Sequence, residues 1–127
     1  MPKIEHFALF ADDPAALRDF YASAFGLRVA VDNGQGDPPG YFLADDVGTA
    51  LEIIGRPAGA GAVPQRFVCH VAFHVDDLDA ARADLQRRGA RFEADTEVDN
   101  PAMRTAFFGD PEGNRVQIVW RSRPLGT

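Results

Sequence analysis

The chain repeats itself at half its length, and that repeat limits the folds open to it more than any other feature. His6-Phe-Ala-Leu-Phe-Ala-Asp-Asp-Pro14 aligns with His70-Val-Ala-Phe-His-Val-Asp-Asp-Leu78, 64 positions further on. Both segments open on a histidine, continue as an apolar run and reach an Asp-Asp pair. Ala50-Leu-Glu-Ile-Ile54 matches Arg115-Val-Gln-Ile-Val119 at an offset of 65. A fixed period means that one supersecondary unit is built twice. The expected organisation is a single domain over 1–127, with a first module at about 1–56, a linker at 57–65 and a second module at about 66–123. Pro57-Ala-Gly-Ala-Gly-Ala-Val-Pro64 has the composition of a connection.

Each module reads as strand, helix, then three strands, an α+β pattern of two tandem βαβββ units. Ile4 to Ala11 is apolar and short enough for a strand. Asp13 caps a helix with Pro14 in its first turn, Leu17, Phe20, Tyr21 and Ala24 recur at helical spacing, and Gly26 stops it. In the second module Asp77 is the cap, Leu78, Ala81 and Leu85 form the apolar stripe, Arg87 and Arg88 suit the C-terminal dipole, and Gly89 ends the helix. Three β-like runs follow each helix, at about 27–32, 40–44 and 48–55, then at about 91–97, 103–108 and 114–121. Gly109-Asp-Pro-Glu-Gly-Asn114 is a strong turn signal between the last two.

Composition narrows the partners. Thirteen Lys and Arg against nineteen Asp and Glu give a net charge of −6, which repels a phosphate backbone, so nucleic acid is not an expected partner. No apolar run approaches the roughly 20 residues that span a bilayer, and the first residues lack a signal-peptide core, so a cytoplasmic protein without a membrane role is expected. The single cysteine, Cys69, reads as a small core residue and fits a reducing compartment. Gly34 and Gly36 form no phosphate loop, because no helix with Lys-Ser or Lys-Thr follows, and no nucleophile elbow is present.

Strand parity places the chemistry. Alternate residues point to opposite faces, so His6, Ala8 and Phe10 share one face, and Phe7, Leu9 and Ala11 the face that the helix covers. His70, Ala72 and His74 repeat the first set. With Leu51, Ile53, Val116 and Ile118 in the core, Glu52 and Gln117 fall opposite. If the two sheets curve toward one another, His6, Glu52, His70 and Gln117 converge in an apolar cleft. Two imidazoles and a carboxylate suit a divalent transition metal with open positions, and a Gln carbonyl oxygen is a weak fourth ligand. Taken singly, each of these residues reads as well as a packed histidine or a solvent-facing strand residue.

IEHFALFADDPAALRDFYASAFGL, TALEII, FVCHVAFHVDDLDAARADLQRRGA and RTAFFGDPEGNRVQIVW together resemble the vicinal oxygen chelate superfamily over residues 3 to 121. That superfamily includes glyoxalase I, bleomycin and fosfomycin resistance proteins, methylmalonyl-CoA epimerase and extradiol dioxygenases. The resemblance implies a curved, half-open barrel-like sheet with the helices on its outer face, a homodimer, and one divalent ion (Fe, Ni, Zn, Mn or Co). It also puts the metal ligands at His6, Glu52, His70 and Gln117. Where glyoxalase-like, epimerase-like and dioxygenase-like members usually carry Glu, this chain has Gln117, and an amide cannot act as a base. Proton abstraction would then rely on Glu52 as base, on a metal hydroxide, or on no base at all.

The expected function is a lyase, isomerase or dioxygenase acting on a small substrate held through neighbouring oxygens. The alternative is a metal-free drug-binding protein of the bleomycin-resistance kind. Further substrate-binding candidates are Phe10, His74, Arg104, Arg115 and Phe108, with Phe42 and Tyr41 as aromatic lining; each also reads as a core or solvated strand residue. His74 lies about 13 Å along the strand from His70, too far to share its ion. The breaker-rich stretch from Asp32 to Gly40 reads as a hairpin connection or as an edge over the cleft.

Overall fold

In the computed structural model, which describes residues 4–57 and 70–124, the chain divides into two units, Met1–Val63 and Pro64–Thr127. Apart from Pro57, the expected linker at 57–65 lies outside the described residues, as does Cys69. The first unit runs β1 (His6–Ala11), α1 (Pro14–Phe25), β2 (Arg28–Asn33), β3 (Gly40–Ala44) and β4 (Ala50–Gly55). The second runs β5 (Val71–His74), α2 (Leu78–Arg87), β6 (Val98–Asp99), β7 (Met103–Gly109) and β8 (Arg115–Arg121). Both units are therefore βαβββ, an α+β chain of two modules. Each sheet is four-stranded and open, in the orders β1-β4-β3-β2 and β5-β8-β7-β6. The first strand of each unit pairs parallel with its last.

The helices begin where the sequence signals. Asp13 accepts the Ala16 N–H at 3.1 Å and Asp77 the Ala80 N–H at 3.0 Å, each satisfying one unpaired donor of a first turn. Gly26, at φ 68°, ends α1 in the left-handed conformation that glycine adopts without strain. Leu17 and Tyr21 of α1 are fully buried and pack toward β3 and β4. Leu78 and Leu85 do the same for α2, which packs on β7 and β8. Leu43, Ile53, Ala106, Val116 and Ile118 complete the two cores at 0% exposure. Cover of β1 is graded: Ala11 is buried, while Phe7 is 48% exposed at the other end of the strand.

One further repeat appears in three dimensions. Asp45 Oδ1 accepts the N–H groups of Val47 (3.0 Å) and Thr49 (2.9 Å), and its own N–H donates to the Thr49 carbonyl at 2.9 Å. Asp110 Oδ1 accepts those of Glu112 (2.8 Å) and Asn114 (2.9 Å), while its N–H donates to the Asn114 carbonyl at 2.9 Å. Gly48 and Gly113, at φ 93° and 83°, supply the positive dihedral in each. Asp-x-x-Gly-Thr and Asp-x-x-Gly-Asn are thus the same turn, and each joins its last two strands in the same register: Ala44 opposite Ala50, Gly109 opposite Arg115.

The strand expected at about 91–97 is not formed as such. Phe92 makes a single bridge to Phe108, and β6 is two residues long, at Val98–Asp99. After the Glu93 N–H donates to the Phe107 carbonyl at 2.8 Å, the Glu93 carboxylate accepts from Thr96 Oγ1 and from Arg115.

The Asp110 carboxylate is 6% exposed and also accepts from Asn114 Nδ2 at 2.8 Å. Replacing it leaves several donors unpaired in a buried turn. Asp110→Ala is expected to lower the unfolding free energy by about 2 kcal/mol and Tm by about 8 °C, measured by urea and thermal denaturation. Asp45→Ala, in the more open turn, is expected to cost less.

Candidate functional site

Cross-strand register sorts each sheet into two faces. In the first unit Ala8, Glu52, Phe42 and Val31 form one row across β1, β4, β3 and β2. His6, Ala50 and Ala44 form the row before it, and Phe10, Ile54 and Gly40 the row after. All lie opposite the face buried under α1. Glu52 is thus held on the open face because its neighbours Leu51 and Ile53 are committed to the core at 5% and 0% exposure. A slip of one residue would bury the carboxylate and expose two aliphatic side chains.

His6 and Glu52 meet there. His6 Nε2 lies 3.5 Å from Glu52 Oε1, with the two side chains 37% and 27% exposed. On the other side of the ring, Nδ1 lies 2.8 Å from Glu5 Oε1. An ionised carboxylate only accepts, so Nδ1 carries the proton toward Glu5, and in the neutral ring the Nε2 lone pair then faces a second carboxylate. At 3.5 Å this is too long for a good N–H···O bond. It is close to the edge, about 3.4 Å, of a tetrahedral shell with bonds of about 2.1 Å. An imidazole nitrogen and a carboxylate oxygen so disposed fit two ligands of a divalent ion. The Phe42 ring packs edge-on to His6 at 5.4 Å and limits its tilt.

A groove of about 480 Å³ opens beside this pair, lined by Val31, Asn33, Phe42, Glu52 and Ile54 on the sheet and by Pro38 and Pro39 from the β2–β3 connection. That connection is built rather than loose. Gly34 N–H donates to Asp32 Oδ1 at 2.9 Å, Gly36 N–H to the Asn33 carbonyl at 3.0 Å, and Gly55 N–H to the Pro39 carbonyl at 2.8 Å. A Cβ at Gly34 would come within 2.5 Å of Tyr41 Oη, so a larger residue there requires the Tyr41 side chain to shift.

The second unit repeats the frame with different chemistry. Ala72, Gln117 and Phe107 form the row equivalent to Ala8, Glu52 and Phe42. His70, just before β5, packs edge-on to Phe107 at 5.1 Å, as His6 does to Phe42. Phe107 was not singled out from sequence; its offset of 65 from Phe42 was the available signal. The Arg115 guanidinium lies 3.8 Å from the Phe107 ring centre and donates two bonds to Glu93, at 2.8 and 2.9 Å. These hydrogen bonds, foremost, hold the Glu93 carboxyl below its ordinary range, and they raise the Arg115 guanidinium in turn.

The remaining candidates divide by face. His74 lies exposed on the Gln117 face, in the row of Val119 and Thr105. Phe10 lies half-buried on the Glu52 face with the Arg56 guanidinium 5.6 Å from its ring centre. Arg104 and Phe108 are on the other side, turned toward α2. Arg104 donates to Asp79 at 3.0 and 3.3 Å and lies 3.4 Å from Asp99, while Phe108 is 1% exposed in the core. The structure therefore does not bring Arg104 or Phe108 to Gln117. Tyr41 is buried, with the Arg18 guanidinium 4.7 Å from its ring centre, and it also borders the groove. Among the described residues no group of three or more His, Cys, Asp and Glu is assembled around one point, and no helix is long and apolar enough to cross a membrane.

The family model of the Glyoxalase/Bleomycin resistance protein/Dioxygenase superfamily matches residues 3–118. The chain is 29% identical over 128 residues to the Uncharacterized protein YaeR of Escherichia coli (strain K12), covering 93% of this chain and 95% of that protein. It is 27% identical over 123 residues to biphenyl-2,3-diol 1,2-dioxygenase 3 of Rhodococcus globerulus, covering 92% of this chain and 62% of the dioxygenase. Among solved structures it is similar to oxidase ChaP-H2, with a TM-score of 0.74, 26% identity and coverage of 99% and 97%.

The Glu93–Arg115 pair has a pH signature. A depressed folded pKa stabilises the protein above the ordinary glutamate range, and that contribution is lost as pH falls through the folded value. Arg115→Ala is expected to cost about 1 kcal/mol near neutrality, since Glu93 is a third exposed and screened. In urea unfolding the gap to the parent chain should narrow in acid, leaving the lost packing on Phe107.

Proposed function

Because the chain belongs to the Glyoxalase/Bleomycin resistance protein/Dioxygenase superfamily, we propose that it is a divalent-metal-dependent enzyme acting on a small substrate held through two neighbouring oxygens. The reaction class is that of a lyase, isomerase or dioxygenase. The observation that carries this reading is the His6 Nε2 to Glu52 Oε1 approach of 3.5 Å beside a groove. One unit supplies too few donors for a transition ion, and the resemblance assigns the others to His70 and Gln117. The name of the Rhodococcus globerulus relative describes a diol with adjacent oxygens, the substrate feature that an ion with open positions recognises. Bound to this chain, such an ion would polarise those oxygens as a Lewis acid.

The side chains supply the rest. Glu5 accepts the Nδ1 proton and so keeps the Nε2 lone pair of His6 directed at the ion position. Glu52, at the edge of the groove, is the carboxylate placed to take a proton from substrate. Gln117 neither takes nor gives a proton near neutrality, and contributes at most a carbonyl oxygen. Of the two residues, Glu52 alone can serve as a base.

A second reading, a metal-free binder of the bleomycin-resistance kind, is favoured by the preformed apolar groove alone. Metal analysis separates the two. Protein purified without chelator is expected to hold about one divalent ion per chain, and His6→Ala or Glu52→Ala less than about 0.1. An ion-free parent chain would replace the enzyme reading with the binder. Oxygen uptake with a diol substrate then distinguishes a dioxygenase from a lyase or isomerase. Glu5→Ala is expected to weaken Co²⁺ binding about tenfold, followed by absorbance, with Glu5→Gln recovering most of it because the amide oxygen still accepts the Nδ1 proton.

A further inference from the structure

We infer that the groove of the first unit selects an uncharged aromatic two-ring group, and that Val31, Phe42 and Asn33 set this preference. The inference rests on the proposed function insofar as the groove is the substrate's, and it names the class of substrate. A volume of about 480 Å³ is within the range of small-molecule sites, and larger than one ring needs. Its floor is apolar: Phe42, Ile54 and Gly40 on the sheet, Val31 on the edge strand, Pro38 and Pro39 on the wall.

The polar side chains of the lining are those of Glu52, Asn33, Asp32 and Tyr41. Glu52 offers a carboxylate and Asn33 an amide, while Tyr41 is buried on the α1 side. Asp32 also borders the groove, but it sits opposite Tyr41 in register, on the α1 side, and its Oδ1 accepts from Gly34. Among the described residues no lysine or arginine lines the groove. Arg56, one residue beyond β4, donates to Asp12 at 3.1 Å, and Arg28 sits at the opposite end of β2 from Asn33. An anionic group entering here would lose its water, meet Glu52 and find no cation among the lining residues. A flat uncharged ring gains apolar contact and edge-to-face packing with Phe42. Because the wall is already hydrogen-bonded and packed against Gly55, little ordering is left to oppose binding.

Val31 is the lever for a test: it is 50% exposed on the edge strand, so replacing it leaves the core untouched. The full chain, dialysed against EDTA so that no ion captures a carboxylate, is titrated with 2-naphthol and 2-naphthoate by calorimetry. Expected are binding of 2-naphthol at least about tenfold tighter than of 2-naphthoate, a ratio brought to about unity by Val31→Arg, and a several-fold loss of 2-naphthol binding in Phe42→Leu. Equal affinity for the two probes, a ratio unchanged by Val31→Arg, or no 2-naphthol binding in the millimolar range would overturn the inference. These outcomes are independent of the ion count before dialysis. One ion per chain with no ring preference removes the groove assignment alone, and ring binding in a chain that never held an ion removes the enzyme reading alone.

Discussion

In each unit one aspartate holds the turn between the last two strands, and the placement of every candidate ligand on those strands follows from it. Asp45 and Asp110 gather the backbone N–H groups of the turn onto a single carboxylate oxygen, while a glycine at positive φ lets the chain reverse. The length of that turn fixes which residue of β3 faces which of β4, and likewise for β7 and β8. Since side chains alternate, register is also a choice of face. Glu52 and Gln117 reach the open faces because the turns before them are counted to the residue. The buried Asp110 shows how firmly this is held: its two oxygens are shared among the backbone and Asn114.

Each sheet separates its tasks by face. The α1 and α2 faces take the aliphatic side chains out of water, Ile53 and Ile118 completely, which is the main favourable term in a unit this size. The opposite faces carry what a core would not tolerate: His6 against Glu52, His70 and Gln117 beside Phe107. Charges on these faces are managed individually. Arg115 spends its donors on Glu93 and its plane on Phe107, so it shapes an aromatic wall before it offers a charge to any ligand. The His6 ring is bracketed by carboxylates at 2.8 and 3.5 Å, an arrangement in which a cation between Nε2 and Glu52 relieves the facing lone pairs.

The two units also differ where chemistry is concerned. Ala50 stands at the place of Arg115, Glu52 at that of Gln117, and Phe10 at that of His74. The groove lies in the first unit, where Gly40, Pro38 and Pro39 leave room beside the sheet. Duplication supplied the frame twice, and the side chains of the open faces diverged within it. Within this chain, a shared βαβββ order thus carries two different sets of open-face residues.

The repeat, the caps at Asp13 and Asp77 and the parity of the strands were legible in the residues, because each depends on neighbours within a few positions. The same local rules place His6 and Glu52 on one face. They failed where a distant residue decided the outcome. The register that buries Phe108 and presents Phe107 is set across β7 and β8, and it puts Arg104 on the Phe108 side, where Asp79 accepts its bonds. The segment after α2 meets β7 only at Phe92 and Glu93 before β6, and its Glu93 carboxylate is held by Arg115, over twenty positions away. Composition and period thus determined that two βαβββ units exist and which residue types they expose. Tertiary structure alone decided which aromatic faces the candidate ligands and which arginines are already paired, since register and ion pairing are long-range contacts that no local pattern encodes.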